Sequence, residues 1–156
     1  MNSQEAVQML IQERKHLDNI LKDFREEHET FKPTDEMMTV AQQINHIAHT
    51  VVWFREGAFG KGFDLDFEKI EALNRQKISL DEAMLFLEKV YDDYIAFLGG
   101  LDEAALSAPM AENPIFGTLP RFVTLFAQND HTAHHRGALS VYLRLLDITP
   151  TMIYTE

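Results

Sequence analysis

His131-Thr132-Ala133-His134-His135 carries the clearest chemistry in the chain. Residues four apart on an α-helix stand nearly above one another, about 6 Å along the axis and roughly 40° round it, so His131 and His135 can present two imidazoles to one point. Imidazole nitrogen binds zinc and similar ions at about 2.0 to 2.1 Å. His134 is turned about 60° from His131, away from His135, and falls outside such a pair. A helical pair usually needs a third protein ligand from another element.

That ligand is sought on a second helix, expected from about Met38 to Glu56 and ending at Gly57. One face carries Val40, Ile47, Val51 and Phe54 at core spacing. The adjoining stripe carries Thr39, Gln43, His46, Thr50 and Trp53. An unpaired buried polar group costs on the order of 1 to 3 kcal/mol, so an inward polar stripe calls for partners, which a hydrated metal would supply. His46 is the candidate third ligand; His49, one turn on and about 60° to the other side, competes with it. The alternative for His131 and His135 is a neutral pair bonded to Gln128, Asn129 or water.

The positioning elements are helices. The 156 residues suffice for one domain, expected over 1–150 with a short tail at 151–156. With 46% hydrophobic residues but only 7 Gly and 5 Pro, turn material is too scarce for a many-stranded fold. A first helix should run from Ser3, its cap, to about Glu29, with Val7, Leu10, Ile11, Leu17, Ile20, Leu21 and Phe24 on its apolar face and His16 and His28 solvated. Three glycines and three phenylalanines between Gly57 and Phe67 mark a long aromatic-anchored loop, with one or two helical turns over Phe67 to Arg75. Such a crossover lets the second and third helices run parallel. The third helix starts at a Ser79/Glu82 capping box and ends at Gly99-Gly100. Leu101 to Gly117 reads as an ordered loop. The fourth helix is expected from Thr118 or Leu119 to about Leu146, with Pro120 in its first turn. Arg136 reads as an ion-pair partner and Gly137 as a point of close helix packing.

The net charge is -11, from 25 acidic and 14 basic residues, which repels nucleic acid and anionic lipid. The chain contains no cysteine, so a metal must use histidine, carboxylate or water, and thiol chemistry needs an external thiol. With no signal-like start and no apolar run of membrane-spanning length, a cytoplasmic location without membrane contact is expected.

His46-Ile47-Ala48 followed by Trp53, together with the run His131 to Arg144 (HTAHHRGALSVYLR), resembles the DinB/YfiT-like superfamily, and the resemblance covers nearly the whole chain. It implies an all-α four-helix bundle of up-down-down-up topology, with a long crossover between helices two and three and frequent homodimers. It also implies a divalent metal, often zinc or nickel, on His46, His131 and His135. Ala138 stands where relatives often carry Gln. Some members resemble thiol S-transferases that use bacillithiol or mycothiol, others a maleylpyruvate isomerase.

The expected function is therefore a metal-dependent thiol S-transferase acting on small electrophiles. The substrate would lie against Trp53, Tyr142, Phe59 and Phe63, with His49, His134 and Asp130 as candidate bases. Metal or ligand binding without turnover, and metal-dependent hydrolysis, are the alternatives.

Overall fold

A computed structural model describes residues 1–155. Six α-helices and one 3-10 turn account for its regular structure. Helix α1 (Ser3–Leu21) is capped by Asn2, one residue before the expected cap; Asn2 and Glu5 exchange hydrogen bonds of 2.8 Å each. Ser3 instead donates its hydroxyl to the Leu98 carbonyl, pinning the start of α1 to the third long helix. The helix stops well short of Glu29, and a single turn, Glu26–His28, follows. This break still seats Phe24 in the core and brings the Glu29 carboxylate to the Leu80 amide at 3.0 Å. His16 and His28 are half-buried rather than solvated.

Helix α2 (Val40–Phe59) starts at a Thr39/Gln42 capping box and runs two residues past Gly57. Gly57 is tolerated inside it because the Phe63 ring lies on its backbone: a Cβ there would fall 2.2 to 2.5 Å from the ring. The crossover contains α3 (Phe67–Asn74), capped by Asp66, where one or two turns are expected. Helix α4 (Leu80–Gly99) has the anticipated Ser79/Glu82 box. The segment read as loop includes a short helix, α5 (Glu103–Ser107), capped by Asp102.

Helix α6 (Val123–Leu145) begins later than expected, and Pro120 lies outside it. Residues 108–122 instead fold on themselves: Pro109 bridges Pro120, and Asn113 bridges Gly117, whose φ of 60° is the left-handed region open to glycine. Gly137 is exposed, and a Cβ added there would meet nothing within 4 Å, so it serves no close packing. Arg136 forms no ion pair among the described residues.

Helix directions follow from side-chain partners. Ser3 meets Leu98, so α1 and α4 are antiparallel. His49 packs on Phe86, and Phe59 on Tyr94 and Phe97, so α2 and α4 are parallel. His46 faces His131 and Gln43 faces His135, so α6 runs against α2. Glu13 reaches Gln128 and Thr132, and Asp23 reaches Thr151 beyond α6, so α1 and α6 are parallel. The result is the up-down-down-up four-helix bundle, with the long crossover between α2 and α4. No described helix is long and apolar enough to cross a membrane.

One core fills the space between the four long helices, from Leu10, Leu17 and Ile20 through Ile44 and Ile47 to Leu87, Tyr94 and Leu139. Glu13 is buried in it at 1% exposure. Its Oε1 accepts hydrogen bonds from Tyr91 Oη, Gln128 Nε2 and Thr132 Oγ1, while Oε2 has no partner among the described residues.

Candidate metal centre

The sites on α2 and α6 come together because the two helices cross antiparallel with their polar stripes facing. One nitrogen from each of His46, His131 and His135 lies within 4.8 Å of the others. The Nε2 atoms of His46 and His131 are 3.1 Å apart. Two nitrogens bound at about 2.05 Å to a tetrahedral ion are separated by roughly 3.3 Å, so this spacing suits a shared ion.

Hydrogen bonds fix which nitrogen faces the common point. Tyr142 donates its hydroxyl to the Met38 carbonyl at 2.9 Å, leaving its oxygen to accept from Gln43 Nε2 at 3.3 Å. That turns Gln43 Oε1 toward His135 Nδ1, 2.6 Å away. An amide oxygen only accepts, so Nδ1 carries the proton and Nε2 presents its lone pair. On His46, Nδ1 is bonded in the same way to Asn74 Oδ1 at 2.8 Å, which again leaves Nε2 free. Partners of this kind orient metal-ligating imidazoles and set their tautomers. Thr50, whose hydroxyl donates to the His46 carbonyl at 2.9 Å, also lies 3.4 Å from His131 Nε2.

The imidazoles are held neutral. Burial, followed by the repulsion of neighbouring imidazoles, pushes His131 down to about 4 and His135 down to about 3. Burial also lowers His46, partly opposed by its bond to Asn74. Three uncharged imidazoles whose nitrogens are brought this close form a donor set that suits a divalent transition metal.

A cavity of about 480 Å³ opens on His46 and His131. Its walls include Trp53 and Thr50, as expected from the α2 stripe, and His49. Three residues expected at the substrate stand elsewhere. Phe59 packs on Tyr94 and Phe97 against α4, and Tyr142 is buried with Gln43. Phe63 packs against Trp53 outside the lining, with ring centroids 4.6 Å apart and the ring planes inclined by 58°. Of the candidate bases only His49 lines the cavity; His134 and Asp130 are exposed outside it.

A family profile described as the DinB superfamily matches residues 9–139. The chain belongs to the DinB superfamily. Two solved DinB-like proteins share its fold. One, from Bacillus cereus, superposes with a TM-score of 0.78 at 18% identity, covering 98% of each chain. The other, from Bacillus subtilis, gives a TM-score of 0.71 at 18% identity, covering 97% of this chain and 99% of its own. No curated protein gave a significant match.

Sequence reasoning passed over three residues of this DinB-superfamily chain: Asn74, Gln43 as a histidine partner, and Glu13. The signal for Glu13 was present, since Ala6, Leu10, Glu13, Leu17 and Ile20 repeat at spacings of four and three, which places the carboxylate on the core-facing stripe.

Proposed function

We propose that His46, His131 and His135 hold one divalent transition metal, zinc or nickel, and that the protein is a metal-dependent enzyme of the thiol S-transferase type. The observation that carries this reading is the convergence of three neutral imidazoles, two of which, His46 and His131, line a cavity large enough for a small molecule; ligand pockets span about 300 to 1,000 Å³. A bound divalent cation supplies Lewis acidity, which lowers the pKa of a thiol or water beside it.

The chain's own residues do the rest. Gln43 and Asn74 hold the ring planes of His135 and His46 and keep their Nε2 lone pairs aimed inward. Thr50 offers a hydroxyl oxygen beside His131. His49, lowered by burial so that it stays neutral near pH 7, can take a proton from a group entering the cavity. Trp53 and Phe54 exclude water from the wall nearest the histidines. Because the chain has no cysteine, the nucleophilic sulfur comes from a low-molecular-weight thiol: its S–H proton passes to His49, a C–S bond forms at a small electrophile, and the displaced group leaves with the electron pair of the bond that breaks.

The test is elemental analysis of tag-free protein beside the double variant His131→Ala, His135→Ala. About one equivalent of metal in the parent and none in the variant supports the centre. Loaded parent protein should then conjugate a thiol to one member of an electrophile panel, and the variant should not. A parent that neither contains nor takes up zinc or nickel overturns the reading.

A further inference from the structure

Helix α3 supplies one wall of the cavity through Ile70, Leu73 and Asn74, and α2 supplies another through His46, Thr50 and Trp53. The α3 wall is lightly anchored. Asn74 is the one buried residue of the helix; Ile70 and Leu73 are half-buried, and the others are exposed. Exposed hydrogen bonds hold its two ends: the Asp64 carbonyl accepts from Trp53 Nε1 at 2.7 Å, and the Arg75 carbonyl accepts from Gln42 Nε2 at 3.0 Å. An element with so little buried apolar surface opens locally at low cost.

The buried anchor of α3 is a hydrogen bond to a candidate metal ligand. Asn74 Oδ1 accepts from His46 Nδ1 at 2.8 Å. Once Nε2 of the same ring is coordinated, the imidazole loses electron density and its Nδ1–H becomes a stronger donor. That donor finds its acceptor only while α3 is seated on α2. We propose that α3 is a lid latched by the metal centre: coordination at His46 tightens the bond to Asn74, and that bond holds Ile70 and Leu73 over the cavity. The coupling is reciprocal, so opening of α3 strips His46 of its acceptor and weakens metal binding by the same factor by which the metal favours closure. The proposal rests on His46 as a metal ligand and goes beyond it, because it makes access to the cavity depend on the state of the metal site. A closed lid over the cavity also excludes water from it.

The test is amide hydrogen exchange of the full chain, followed by mass spectrometry without metal and with saturating zinc or nickel, in the parent, Asn74→Ala and Asn74→Asp. Exchange is read at amides 70–75, with α4 as the reference, and metal affinity is measured on the same samples. In the parent, metal should slow exchange at 70–75 by about tenfold. Asn74→Ala keeps the three imidazoles, so saturating metal still binds; its slowing at 70–75 should be about threefold or less, and its metal affinity should fall by about tenfold. Asn74→Asp retains an oxygen acceptor for Nδ1–H and should be slowed at least as much as the parent.

Metal uptake that leaves exchange at 70–75 unchanged in the parent overturns the latch and leaves the metal centre standing. Equal slowing in the parent and Asn74→Ala does the same, as does slowing confined to α4, which reports global stabilisation alone. Asn74→Asp behaving as Asn74→Ala overturns the role given to the acceptor oxygen. A parent that takes up neither zinc nor nickel overturns the metal reading and the latch together.

Discussion

His135 Nδ1 and Gln43 Oε1 lie 2.6 Å apart across the interface of α6 and α2, and this contact decides which nitrogen of His135 is available to a ligand. Its orientation is inherited from the Met38 carbonyl through Tyr142 and the Gln43 amide. Gln43→Leu should therefore weaken zinc binding by about ten- to a hundredfold, whereas Gln43→Glu, which keeps an acceptor at that position, should stay within about threefold of the parent. Zinc titration against a competing chelator measures both. Equal affinity in Gln43→Leu and parent would rule out a positioning role.

Acid should destabilise the metal-free protein through the same histidines. In the folded state His131 lies at about 4 and His135 at about 3, against an ordinary value of 6.5, so unfolding takes up protons. A base whose pKa is depressed by folding contributes stability that is present above 6.5 and lost as the pH falls toward those folded values. The urea midpoint should drop across this window, and the double variant His131→Ala, His135→Ala should show a flatter profile.

Glu13 should give the opposite sign. Burial raises its pKa above 4.5, against the lowering effect of its bonds to Tyr91, Gln128 and Thr132. Its stabilising contribution is fully present below 4.5 and is lost as the pH rises through the folded value. Glu13→Gln, which retains an acceptor, should remove that loss and equal or exceed the parent in stability above neutral pH. Glu13→Ala strands three buried donors and should cost about 3 kcal/mol or more. Chemical denaturation of both variants at acidic and alkaline pH checks the sign.

Gly57→Ala tests the support behind the cavity wall. A Cβ at this position falls 2.2 to 2.5 Å from the Phe63 ring, which must swing off Trp53. The expected result is a loss of about 1 kcal/mol and a shift in Trp53 emission. An unchanged spectrum would show that Phe63 does not hold the indole in place.

Much of this arrangement was legible in local pattern. The Ser79/Glu82 box and the turns after Phe67 appear where the residues place them. The loop before α6 was not legible, because Pro120 is as acceptable at the start of a helix as in the bridge with Pro109 that it forms. Glu13 hid in the charged run Gln12-Glu13-Arg14-Lys15-His16, where composition suggests a solvated face although the spacing points inward. The substrate wall was misread in part: Phe59, Phe63 and Tyr142 are near in sequence to the right elements, but their side chains project toward α4, against Trp53 outside the lining and into the core.

The sequence by itself determined the helical class, the acidic charge, the absence of thiols and the stacking of His131 with His135, all of which follow from composition and from the 3.6-residue period within a single helix. Tertiary structure decided that His46 and not His49 joins them, and that Gln43 and Asn74 set their tautomers. Periodicity fixes angles within one helix, but it carries no information about how that helix is rotated against another 85 residues away. That rotation is set by how the whole core packs.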